Sequence, residues 1–287
     1  MKKRISVYEG EEITLSTMHR KELYLAPACT KILGANLFIP GKNINTDLLG
    51  TFSGEIERQK NQKESALEKC YLGLEISGGM LGIANEGSFG PHPYIPFIPS
   101  SLETLVFIDK RKGLKIFENM RFNKTNYQQQ IVSFSDDLTP FLKSVLFPSH
   151  GLIVKPNIWD DKSILFKGVQ DFLELKKSVE ICCSHSSDNR AHIETDMRAH
   201  MNPTRGLNIR KVGIRLFRAL ASLCPACDSP GWRKTEMKKG RPCGSCDFPS
   251  ELPIAHLWTC PSCCYTAEEA LIFNGYTDPA FCQICNP

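Results

Sequence analysis

Residues 13–40 read ITLSTMHRKELYLAPACTKILGANLFIP. The stretch opens as a strand, crosses the polar turn Thr17–Glu22, continues as the helix-like run ELYLAPACTKIL and closes in the apolar strand ANLFIP. Strand, helix, strand is the order that builds layered α/β domains. Pro27 must sit early in the helix or interrupt it, because proline lacks the N–H and clashes with the preceding turn. Gly34 suits the position just past a helix end, where a left-handed residue is needed. The turn sets His19 and Lys21 at a strand-to-helix junction. Upstream, residues 4–17 read as two short strands about a turn at Glu9-Gly10.

Downstream, residues 41–63 are polar and turn-rich, with Asp47, Glu55, Glu57 and Arg58. A helix follows, with Ala66, Leu67, Cys70 and Leu74 at helical spacing and an end at Gly78-Gly79. MLGIA (80–84) is a buried strand that runs into Asn85-Glu86-Gly87-Ser88-Phe89-Gly90-Pro91-His92-Pro93. A carboxylate at a strand end, followed by glycines around a hydroxyl, is how α/β sheets lay out ligand sites. Glu86 and His92 are therefore candidate site residues. No Gly-Lys-Ser/Thr follows, so this is not a Walker loop. LVFID and LKIFE flank Gly113 as a hairpin. A short helix at LTPFLKSVLF, a strand GLIVKP and a helix over about 167–183 come next, the last with Val169, Phe172, Leu173 and Val179 near helical spacing.

Residues 192–205, HIETDMRAHMNPTR, place five ionisable side chains at alternate positions. Read as a strand, His192, Glu194, Asp196, Arg198 and His200 share one face, while Ile193, Thr195, Met197 and Ala199 share the other. A solvated sheet edge has the same pattern. Asn202-Pro203 ends the strand. Arg205 then opens an amphipathic helix with Ile209, Val212, Leu216 and Leu220 on one side, and a helix start supplies backbone donors for an anion.

The chain has 287 residues, 41% hydrophobic and 23% charged, as soluble globular proteins do. No run reaches the ~18 apolar residues of a membrane helix, and the N-terminal residues carry no secretory apolar segment. Nine of the 13 cysteines fall in the last 64 residues. Four CxxC pairs, Cys224/Cys227, Cys243/Cys246, Cys260/Cys263 and Cys282/Cys285, read as ligands of two structural Zn²⁺ ions in closed four-cysteine sites. Such thiolates belong in a reducing cytoplasm. Sequential pairing, first with second and third with fourth, fits the spacing; first with third and second with fourth is the alternative. Cys264 adjoins Cys263, and either could be the ligand. Domain bounds of 1–218 and 219–287 follow. The tail carries 5 Lys+Arg against 7 Asp+Glu, so Arg233, Lys234, Lys238, Lys239 and Arg241 make a weak case for nucleic acid.

The motifs TMHRKE (17–22), NTDLLGTFSGE (45–55), NEGSFGPHP (85–93) and ETDMRAHMNPTR (194–205), followed by CPAC and CGSC, resemble an uncharacterised bacterial family, a domain of unknown function. That resemblance implies no activity. Residues 13–93 also resemble the inosine-triphosphate pyrophosphatase fold. It would put Lys21, Glu55 or Glu64, and Glu86 on phosphates and Mg²⁺. His19 stands where that family has Asn, and Lys21 comes one position early.

The expectation is an α/β domain with a mixed sheet and flanking helices, followed by a two-zinc ribbon-like module. The leading functional reading is a metal-dependent hydrolase of a phosphorylated small molecule or nucleotide. Glu86, Glu194 and Asp196 would hold Mg²⁺ or Mn²⁺. Lys21, Arg198 and Arg205 would neutralise phosphate, and His19, His92 or His200 would move the proton. The alternative is a non-enzymatic zinc protein whose tail binds nucleic acid or a protein partner.

Overall fold

The computed structural model describes residues 6–41, 60–158, 161–273 and 275–287. Most of the polar segment 41–63, with Asp47, Glu55, Glu57 and Arg58, lies outside them, as does most of the first N-terminal strand expected before Glu9. The chain divides into two compact units. One is Tyr8–Leu216; the other holds Phe217–Pro287 with Ser6 and Val7.

The larger unit opens as the sequence predicts. β1 (Glu12–Ser16), α1 (Glu22–Leu33) and β2 (Asn36–Phe38) form a βαβ unit with β1 and β2 parallel. Pro27 lies inside α1 without ending it, and Gly34 closes the helix at φ 69°. α2 (Gln62–Ser77) is capped by Asn61, whose side chain accepts from Glu64 N while the Glu64 carboxylate accepts from Asn61 N. β3 (Leu81–Pro91) lies beside β1 in parallel, and β4 (Pro99–Asp109) and β5 (Leu114–Phe122) follow as antiparallel neighbours. The sheet order is β2-β1-β3-β4-β5. Ala66, Cys70 and Leu74 of α2 pack on Ala84, Val106 and Ile108. A Cβ at Gly82 would lie 2.8 Å from Leu74 Cγ, so glycine lets the helix press onto the strand.

A second, antiparallel sheet has the order β6-β9-β7-β8. Its strands are β6 (Gln129–Val132), β7 (Leu152–Pro156), β8 (Phe166–Val169) and β9 (Ala191–Thr195). The short helix α3 (Thr139–Ser144) and α4 (Phe172–Ser184) bury Phe141, Leu175, Val179 and Cys182 against Leu152, Val154 and Ile193. α5 (Pro203–Ala221) follows, with Asn202 Oδ1 accepting from Arg205 N at 2.9 Å and Pro203 at the first turn.

Three expectations change. The helix expected over 167–183 is a strand, β8, and then a helix. Asp171 accepts from Leu173 N and Glu174 N, which starts α4 after Val169. The strand expected over 192–200 stops at Thr195. Asp196 Oδ1 accepts from Arg198 N, and Met201 N donates to Arg198 O, so the chain turns there. The strand at 80–84 does not end at Glu86. It runs to Pro91, because β4 pairs with it along its whole length, from Leu81↔Asp109 to Pro91↔Pro99.

In the smaller unit, β10 (Arg233–Lys239), β11 (Pro253–Thr259) and β12 (Thr266–Ala270) form an antiparallel meander. Among the described residues no helix is long and apolar enough to cross a membrane.

Candidate functional site: a buried cation cluster and two four-cysteine centres

The parallel pairing of β1 with β3 ends at Ser16↔Ala84. Beyond it β3 continues with β4 on one side only. The turn from β1 into α1 therefore comes down beside Asn85, Glu86 and Gly87. Lys21, at the start of α1, is buried, and its Nζ donates to Asn85 O at 2.8 Å.

Successive residues of β3 face opposite ways. On the face covered by α2, Glu86 meets Lys69 in a buried ion pair. On the other face Gly87 stands opposite Glu103, whose carboxylate takes Arg205 Nε at 2.8 Å and Asn85 Nδ2 at 3.0 Å. A Cβ at Gly87 would lie 2.6 Å from Arg205 Nη2 and 2.8 Å from Glu103 Oε1. Gly87 is thus a close-approach glycine within a strand, not part of a phosphate-cradling loop. The Arg205 guanidinium also lies 4.9 Å from the Phe89 ring centre, and Phe89 packs on Tyr127.

The segment before α5 completes the cluster. Arg198 grips the fully buried Asp196 with Nε at 3.0 Å from both carboxylate oxygens. His200 stacks on His19, rings 5.3 Å apart at 27°. Burial, then Lys21, His200, Arg205 and Arg198, pushes the His19 imidazole down to about 2. Burial and Arg198 also lower His200. Burial is likewise the main cause at Lys21, helped by Arg205 and opposed by Glu86, and it brings the ammonium down to about 7.

His19, Lys21, Glu86, Arg198, His200 and Arg205 thus gather in one region. Glu194 is buried on β9, paired with Lys155 at 3.2 Å, and its pKa rises through burial. His192 faces the same lysine and is lowered by burial and that charge. His92 sits at the β3–β4 hairpin tip, where its Nδ1 accepts from Tyr94 N. Among the described residues, groups of three or more His, Cys, Asp or Glu ligands occur only in the cysteine tail. Glu86, Glu194 and Asp196 form no such group, and each holds a Lys or Arg instead.

In the tail, Cys224, Cys227, Cys260 and Cys263 gather at one centre and Cys243, Cys246, Cys282 and Cys285 at the other. This is the crossed pairing, and strand direction explains it. Knuckle one precedes β10 and knuckle two follows it, so seven extended residues part them, about 23 Å of chain. Antiparallel β11 brings knuckle three back beside knuckle one. The Sγ–Sγ contacts are 3.8 Å (Cys224–Cys263), 3.6 Å (Cys227–Cys260), 3.8 Å (Cys243–Cys285) and 3.7 Å (Cys246–Cys282). Four sulfurs at ~2.3 Å from one tetrahedral Zn²⁺ lie about 3.8 Å apart, so both sets fit such an ion.

Each knuckle closes alike: Asp228, Asp247, Cys264 and Asn286 donate N–H to the carbonyl of Cys224, Cys243, Cys260 and Cys282. Asp228, Asp247 and Cys264 have φ of 53°, 57° and 60°. Cys264 therefore fills the turn position, and Cys263 is the ligand.

The family described as Domain of unknown function (DUF6671) matches residues 69–287. The chain belongs to this family. No curated protein matches the chain. The matched span takes in both four-cysteine sets and Lys69, Glu86, Glu103 and Asp196–Arg205; the turn with His19 and Lys21 precedes it.

The sequence reading passed over Lys69, Asn85 and Glu103. A signal existed for Lys69: it lies on the Ala66–Cys70–Leu74 stripe, where a charge must be buried. Glu103 had only its isolation in an apolar strand.

Proposed function

We propose that this chain is a zinc-ribbon protein whose α/β domain hydrolyses a phosphorylated small molecule at the His19–Lys21–Arg205 cluster. One observation carries the reading. Residues from the turn after β1 and from the segment before α5 with its first turn, about 180 positions apart in sequence, put two stacked imidazoles beside Lys21, Arg198 and Arg205. Preorganised cations suit a phosphoryl group, whose charge spreads over its oxygens during transfer.

Burial, and after it the neighbouring cations, lower His19 and so make it a poor base while the site holds no anion. A phosphate seated among them cancels that repulsion and raises its proton affinity toward the range a general base needs. As the water oxygen bonds to phosphorus, the imidazole takes its proton, with His200 as the alternative acceptor, and the P–O bond to the leaving group breaks, the departing oxygen taking a proton from solvent. Lys21 and Arg205 hold the phosphoryl oxygens. Glu86, Glu194 and Asp196 do not fit a divalent-ion cage, being separately paired, and no step is assigned to Mg²⁺ or Mn²⁺.

The tail's role in this reading is structural. Zn²⁺ suits its all-thiolate donor set, and closed four-cysteine sites keep no position for substrate. The nucleic-acid reading loses support from the pairing of Lys234, Lys238 and Lys239 with Glu269, Glu268 and Glu251.

Phosphate release from nucleotides and sugar phosphates, with and without Mg²⁺, tests the proposal. Wild type should turn over at least one of them. His19→Ala and Lys21→Met should each lose at least tenfold, with zinc content and circular dichroism unchanged. No release by wild type on any compound, or wild-type rates in both variants, would sink it.

A further inference from the structure

The carboxylates of the cluster are unevenly shared. Lys69 is held by Glu86, Arg205 by Glu103 and Arg198 by Asp196. Lys21 has a neutral carbonyl, Asn85 O, and among the described residues no carboxylate lies within ion-pair distance of its Nζ. Among the described residues of the cluster, four cationic side chains thus face three carboxylates, and the surplus falls on the most buried amine. A buried ammonium without a counter-charge gives up its proton instead.

The geometry points to proton-coupled anion binding: a tetrahedral oxyanion dianion seats against Lys21, and Lys21 takes up one proton as it binds. This rests on the anion site of the proposed hydrolase and adds the linkage. The groups facing Lys21 are His19 from the turn, Glu86 on β3, Lys69 on α2, Glu103 on β4 and Arg205 on α5. Glu86 and Glu103 attract the proton, but each is engaged by its own cation. Lys69 and Arg205 repel it. With Lys21 at about 7 and His19 at about 2, Lys21 changes charge between pH 6 and 9 while His19 stays neutral. An anion within ~4–6 Å favours the charged amine by ~1–3 pH units, enough to keep it from half to almost fully protonated at pH 8. Two buried atoms of the same cluster, His200 Nδ1 and Asn85 Oδ1, have no hydrogen-bond partner. Such atoms call for a ligand or ordered water.

Sulfate is the probe, because it does not titrate in this range and is not hydrolysed. Calorimetry on the full-length zinc-loaded protein, in buffers of different ionisation enthalpy, counts the protons exchanged. Uptake should be about 0.4–0.9 of a proton per sulfate at pH 8 and fall to about a tenth at pH 6. Affinity should drop roughly tenfold per pH unit above pH 8 until the bound-state amine itself titrates. Lys21→Met should abolish the uptake while its circular dichroism matches wild type. No detectable sulfate binding, binding without proton exchange at pH 8, or uptake that survives in Lys21→Met would each overturn the inference. Proton-linked sulfate binding in a protein that releases no phosphate would defeat the hydrolase reading alone. Phosphate release without linked uptake would defeat this inference alone.

Discussion

The body and the tail of this protein bury different things. Tyr8–Leu216 encloses large apolar side chains such as Phe107, Leu105, Ile83 and Val154, and between its elements it encloses ion pairs as well. Past the end of α5, the buried apolar side chains among the described residues are Pro230, Ala255 and four cysteines, Cys224, Cys243, Cys260 and Cys282. Each of those cysteines is the first of its knuckle. A three-stranded meander with one small buried side chain cannot offset the entropy of ordering its residues. The tail gathers around its two four-cysteine sets, the body around its core.

Removing the metal is the harshest way to break that comparison. Structural Zn²⁺ contributes ~10–16 kcal/mol of apparent binding energy in zinc-finger peptides, as much as the whole stability of a typical domain. Chelation should collapse the amide dispersion of residues 222–287 in NMR spectra and leave that of Tyr8–Leu216 in place. Metal analysis before chelation should give two ions per chain. A tail that keeps its dispersion without metal would refute the metal-cored account.

A smaller effect separates a buried pair from a metal staple. Glu103→Ala leaves the Arg205 guanidinium, which is 8% exposed, without its carboxylate partner. Breaking a buried ion pair from one side costs ~3–5 kcal/mol. Urea unfolding of the body should show a loss of that size with an unchanged m-value, and the tail's metal content should stay at two. A loss below ~1 kcal/mol would mean that Arg205 finds water or another partner.

The two regions were also unequally legible. CxxC spacing singles out the eight cysteines that gather into two four-cysteine sets, because two thiolates on one tight turn suit a single metal ion. Their pairing was not legible, since it depends on strand direction, which spacing does not carry. In the body, the βαβ opening and the Gly113 hairpin were readable from alternation, proline and glycine. The 192–200 strand failed because Asp196 can bond its own backbone two residues on, and that local bond beat the alternation. The NEGSFGP motif looked like a loop because glycine usually marks one; in fact Gly87 makes room for a guanidinium from α5, a partner some 118 residues away. His19, Lys21 and Arg205 stood out by lying at element junctions. Lys69 and Glu103 did not, because a charge inside an apolar element declares itself only once its partner is placed.

The smallest effect sharpens the contrast from the tail's side. Lys238 and Glu268 meet at 2.8 Å across the meander, but both side chains are 51% exposed. The same pair of charges that is costly to break inside the body is here solvated and screened. An exposed pair contributes ~0–1 kcal/mol, and at physiological ionic strength the Debye length of ~8 Å weakens it further. Lys238→Met should therefore leave the tail's resistance to chelator nearly unchanged, within about fivefold in the midpoint, and raising the salt should erase what difference there is. A tenfold or larger shift that persists in high salt would show that β10 and β12 are held by their side chains, and the tail would then owe its order to more than its metals.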